Sequence, residues 1–187
     1  MKRSLIALMA LTLLLTQSAW ARTFAEVTMA DTVNVDGKTL QLNGMALRSK
    51  MGFSVYVAGL YVTSKNTSAE KILAVDAPRK MVMSFLRGVD KAKMTQAWMD
   101  GLAANTPNAS ADVKKNFATL CEMMADVKSK DEIVLQYVPG QGTRVWVAGN
   151  VKGQLPGKET ADAILSTWIG PKPGPGDIFK NNILGKG

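Results

Sequence analysis

Two side chains in the stretch LNGMALRSKMGFSVYVAGLYV, residues 42–62, have types and spacing that could do chemistry together. Arg48 offers a permanent, planar cation whose fork of N–H donors suits a carboxylate or another small oxyanion. Tyr56 offers a phenol. Between them lies Lys50-Met51-Gly52, which predicts a three-residue hairpin loop with Gly52 at the position needing positive φ. Such a loop sets Arg48 directly opposite Tyr56. Opposed residues sit on the same sheet face with Cβ atoms roughly 5 Å apart, so guanidinium and hydroxyl could converge on one anionic group. The competing reading is that Arg48 pairs with an acidic side chain or reaches solvent beside Lys50.

What the chain lacks narrows the chemistry further. There is no His, which removes Ser-His-Asp and Cys-His nucleophile systems, His-ligated haem and the usual zinc sites. Cys121 is the one cysteine, so no intramolecular disulfide forms. It lies in an apolar helical run beside Met123 and Met124, as a buried, inert thiol would. No cofactor and no metal are expected.

Elements must hold Arg48 and Tyr56 in place, and their outline is legible. Residues 1–21 carry Lys2 and Arg3, an apolar run from Leu5 to Leu15, and Ala19-Trp20-Ala21, the pattern of a cleaved secretory signal. The mature chain is expected to begin at Arg22, in the periplasm, and residues 22–187 to form a single domain. The formal charge of +8 falls to +6 without Lys2 and Arg3, and the excess is scattered rather than gathered into a basic run. Nucleic-acid binding therefore has little support, whereas a mild attraction to anionic ligands or peripheral contact with a membrane surface is the preferred reading.

Residues 23–34 read as a strand, with Asp36-Gly37 turning into a return strand at 39–42. After the central pair come a helix capped by Ser68 and a strand at 80–89. Helices follow at 90–104, capped by Asp90, and at 110–127, capped by Ser110. A hairpin at 131–149 around Pro139-Gly140-Gln141-Gly142 continues through residue 157. Helices at 158–169 and 177–184 end the chain. The sum is an α+β domain of six or seven mostly antiparallel strands with helices on one face, and a ligand cavity would lie between the two layers.

The segments LNGMALRSKMGFSVYVAGLYV, SFLRGVDKAKMTQAWMDGL, DEIVLQYVPGQGTRVWVAGNVKG and ADAILSTWIG, in that order, resemble the chalcone isomerase-like family, in its bacterial secreted branch. The resemblance implies an open-faced β-sandwich, a large antiparallel sheet with helices packed on one face. Plant enzymes of this family use an Arg to hold the substrate's anionic oxygen, with a Tyr, a Thr and an Asn around it. Fatty-acid-binding members keep the Arg and add a Tyr from the neighbouring strand to hold a carboxylate. By resemblance Arg48 is the shared Arg, and Tyr56 takes the place of the enzyme's strand Thr and of the binding protein's Tyr. Lys93 or Met94 stands where the enzyme has its helix-entry Tyr, and Asp100 or Gly101 near its Asn. Thr167, in STWIG, matches a further Thr of the enzyme pocket.

These residues imply a periplasmic, non-catalytic binding protein for a fatty acid or similar amphipathic carboxylate, with Arg48, Tyr56 and Thr167 at the site. The alternative is an isomerase of enone substrates, against which the missing Tyr and Asn count. A third reading is a structural envelope protein with a vestigial pocket.

Overall fold

Four tight turns decide how the chain lays down its sheets. At Ala25-Glu26, Asp36-Gly37, Met51-Gly52 and Ala148-Gly149 both central residues have positive φ, the backbone that matches the twist of two joined antiparallel strands. The computed structural model describes residues 21–187. Its strands are β1 (Ala21–Phe24), β2 (Val27–Ala30), β3 (Thr32–Val35), β4 (Lys38–Lys50), β5 (Phe53–Val62), β6 (Arg79–Phe85), β7 (Glu132–Val138), β8 (Gly142–Val147) and β9 (Asn150–Leu155). Strands β3 to β9 form one seven-stranded antiparallel meander in sequence order, while β1 and β2 pair as a separate hairpin. Helices α1 (Ala69–Ala74), α2 (Lys91–Asn105), α3 (Ala111–Met123), α4 (Lys158–Ile169) and α5 (Asp177–Ile183) complete the domain.

One sheet face carries Ala58, Leu60, Met81, Met83 and Phe85, which pack with Trp98, Phe117, Ile164 and Phe179 from the helices. The other face carries Leu42, Val57, Tyr61 and Val82, partly roofed by Met29 of the β1–β2 hairpin. From Tyr56 to Val62 both faces of β5 are thereby buried, as that apolar run requires. This is the α+β, open-faced arrangement expected, with its helices on one face.

Three local expectations are corrected. The loop after Lys50 holds two residues, Met51 and Gly52, rather than three: Lys50 pairs with Phe53 and Ser49 with Ser54. A bulge at Val55 then supplies the missing step, so Arg48 still pairs with Tyr56. Residues 23–34 are three short strands instead of one, because the chain reverses at Ala25-Glu26. Asp90 sits at the start of α2 without capping it, since its carboxylate holds the Lys93 ammonium at 2.7 Å. Of the expected secretory signal, residues 1–21, all but Ala21 lie outside the described residues.

Candidate functional site

Arg48 and Tyr56 owe their common face to the two-residue turn and the Val55 bulge acting together. Tyr56 is 9% exposed, its ring tilted against Phe85 and edge-on to Phe179 of α5, at 5.5 and 6.1 Å between centroids. Its hydroxyl oxygen accepts a hydrogen bond from Trp168 Nε1 of α4 at 3.0 Å. That bond uses the oxygen as acceptor and leaves the hydroxyl proton to be given elsewhere. Burial pushes the phenol up to about 12, and the Trp168 bond and the Arg48 charge pull back only part of that rise. Tyr56 is thus a neutral hydrogen-bond donor at physiological pH.

Arg48 is half-buried, and among the described residues it has no ion pair and no side-chain hydrogen bond. It faces a cavity of about 670 Å³ between the sheet and helices α2 and α4, within the range of roughly 300–1,000 Å³ common for small-molecule sites. The wall is largely apolar: Val55, Met83, Phe85, Met94, Trp98 and Trp168 all contribute. Its charged side chains are Arg48, Lys50, Arg87, Lys93 and Lys172 against Asp100 alone, which gives an excess of positive charge around a greasy interior. That is the complement of an anion with an apolar tail.

The remaining expected residues all reach the same wall. Thr167 lines the cavity, yet its Oγ1 donates to the Ile164 carbonyl at 2.8 Å within α4, so as a donor it is already committed. Its methyl group lies where α2 comes closest: a Cβ at Gly101 would stand 2.8 Å from Thr167 Cγ2. Gly101 therefore lets α2 and α4 meet behind the cavity. Met94 is buried in the wall, and Asp100 accepts from the Gln96 amide at 2.7 Å. Cys121 lies outside this site, half-buried on α3 with its thiol towards the Thr95 carbonyl, and burial raises its pKa.

Sequence reasoning missed Trp168 as the partner of Tyr56, together with Arg87 and Lys172. Trp168 was visible only as one of the inward residues of its helix, and nothing local ties it to a strand 112 residues away. Among the described residues no cluster of His, Cys, Asp and Glu is placed to hold a metal ion, and no helix is long and apolar enough to cross a membrane.

The family model described as chalcone isomerase-like matches residues 21–185, nearly all of the domain. The chain belongs to the chalcone isomerase-like family. No curated protein sequence matches it. Among solved structures, this chalcone isomerase-like chain is similar to a fatty-acid binding protein from Arabidopsis thaliana, with a TM-score of 0.67 over 88% of this chain and 96% of the plant one. The two are 15% identical, so the likeness is one of fold.

Proposed function

We propose that this protein binds a fatty acid, or a similarly small amphipathic carboxylate, without chemical turnover, in the cavity between the sheet and helices α2 and α4. The observation that carries the reading is Arg48: a guanidinium with no partner among the described residues, on the wall of a largely apolar cavity of about 670 Å³. In this reading the Arg48 fork and the Tyr56 hydroxyl hold the carboxylate, Trp168 orients Tyr56, and Thr167 contributes its methyl group to the wall. The likeness of fold to a fatty-acid binding protein supports it. Each charge-assisted hydrogen bond contributes about 1.5–3 kcal/mol and each buried methylene about 0.8 kcal/mol, so the tail supplies most of the affinity and Arg48 the choice of head group. A periplasmic site of action is part of this proposal, supported by the leader-like pattern of residues 1–21.

Isomerase chemistry would ask for a group poised near neutral pH to move a proton. Tyr56 is held near 12 and so does not suit that role, which favours binding.

The test is to purify the protein from its native compartment, denature it, and identify the released small molecules by mass spectrometry. The wild type is expected to release a long-chain carboxylate, and Arg48→Ala, still folded, to lose most of it. A wild type that releases nothing and takes up no added fatty acid would overturn the proposal.

A further inference from the structure

Met51 is the residue least explained by folding. It is 89% exposed at the tip of the β4–β5 hairpin, and its φ of 52° lies in the left-handed region, which Gly, Asn and Asp tolerate far better than a long apolar side chain. An Asn there would satisfy the turn and the solvent together. Phe53, on the other side of the turn, is 60% exposed, with the Arg87 guanidinium stacked 4.8 Å from its ring centre. A strained turn that presents two large apolar side chains to water is costly to the folded chain on its own.

The surroundings of that tip give it a partner. Lys50, Arg87 and Lys172 are exposed, and all three line the same cavity as Met51 and Phe53. None of the three forms a salt bridge among the described residues. Exposed apolar side chains beside exposed cations are what an anionic lipid surface accommodates, the former entering the acyl boundary and the latter resting on the headgroups.

We propose that the hairpin tip Lys50–Phe53, with Arg87 and Lys172, docks this protein on anionic phospholipid bilayers with the cavity beside the membrane. The inference rests on the reading of the cavity as a fatty-acid site, because docking there gives an amphipathic carboxylate a path from bilayer to pocket that keeps its tail out of water. Met51 and Phe53 supply insertion, and the cations supply attraction that weakens with salt.

The experiment is flotation of delipidated protein with vesicles of phosphatidylcholine containing phosphatidylglycerol, and with vesicles of phosphatidylcholine alone. The wild type is expected to float with the first and much less with the second, and added salt to release it. The double variant Met51→Asn, Phe53→Ser is expected to reduce the bound fraction about tenfold, and Lys50→Glu with Arg87→Glu at least as much. Met51→Asn suits the turn and Phe53 is exposed, so the melting temperature of the double variant should stay close to the wild-type value, which separates a docking defect from misfolding. A wild type that ignores anionic vesicles at low salt overturns docking. Flotation that survives the Met51 and Phe53 changes reduces the effect to bulk charge and overturns the role of the hairpin. Since no fatty acid is present, either outcome is independent of ligand retention by Arg48.

Discussion

Tyr56 packs against Phe85 and Phe179, accepts a hydrogen bond from the Trp168 indole N–H and lies beside Arg48, so its hydroxyl is fixed by packing rather than by a local motif. The Arg48–Tyr56 pair was legible because strand pairing is a local rule: a turn signal and a count along two strands suffice. Trp168 was not, since its meeting with Tyr56 depends on how α4 lies across the sheet. The other two tyrosines are buried as well, Tyr61 donating to the Ala30 carbonyl at 2.9 Å and Tyr137 to Asp76 at 2.6 Å. All three phenols are pushed up from 10 to about 12, in each case chiefly by burial. A raised folded-state pKa contributes stability that is whole below the unfolded value and lost as pH climbs through the folded one. Urea midpoints should therefore hold steady up to about pH 10 as far as these groups are concerned, and fall steeply between 10 and 12. The phenolate ultraviolet band of the native protein should stay small until that fall. Native tyrosines that ionise freely near pH 10 would contradict the burial of all three.

Among the elements, the β4–β5 hairpin was predicted with the right strands and the right facing pair but the wrong loop. A two-residue turn plus one bulge and a three-residue loop give the same pairing beyond the irregularity, so hydrophobic patterning cannot tell them apart. The Ala25-Glu26 reversal was hidden for a simpler reason: neither residue is among the usual occupants of a positive-φ turn. A second bulge on β4, at Asn43, determines how α5 docks. Asn43 donates from Nδ2 to the Ile183 carbonyl at 3.1 Å and accepts from the Asn66 amide at 2.8 Å. Next to it Gly44 lies under α5, where an added Cβ would stand 2.2 Å from the Asn182 carbonyl oxygen and 2.7 Å from that of Ile183. Those atoms are backbone and cannot swing aside. Gly44→Ala should therefore lift α5, strain the Asn43 bonds and carry Phe179 away from the Tyr56 ring. The expected loss is about 1–3 kcal/mol, typical of overpacking, seen as a lower urea midpoint with little change in slope. An unchanged midpoint would mean that α5 is not tightly seated on β4.

Across the whole molecule the hairpins β3–β4, β4–β5, β7–β8 and β8–β9 were the easier part to foresee, because strands joined by short turns become neighbours, whereas β5–β6 and β6–β7 are joined through helices. The cavity was foreseeable as a gap between layers with Arg48 on its wall, whereas Arg87 and Lys172 were not, since they come from parts of the chain distant from the central hairpin. Helix α4 ties the cavity to overall stability. Arg79 of β6 and Lys158 both hold Asp162 of α4, and the Lys158 ammonium also donates to the Leu73 carbonyl at 2.6 Å, joining α1, β6 and α4 near the start of that helix. Further along, the same helix presents Thr167 and Trp168 to the cavity. A ligand that fills the space beneath Trp168 contacts the folded arrangement of α4 and has nothing comparable to contact in the unfolded chain. Dodecanoate at a hundred times its dissociation constant should then add about 2.7 kcal/mol to the stability of delipidated protein. For a domain of this size that is a rise in melting temperature on the order of 5–10 °C. Dodecanol separates head from tail. If Arg48 reads the carboxylate, the alcohol should raise the wild-type melting temperature less than the acid does, and Arg48→Ala should respond to both alike. Equal shifts in the wild type would leave the tail as the whole of recognition and remove Arg48 from the site. No shift with either would mean that the cavity takes something other than a single alkyl chain, because nothing that fills it against Trp168 could leave α4 unaffected.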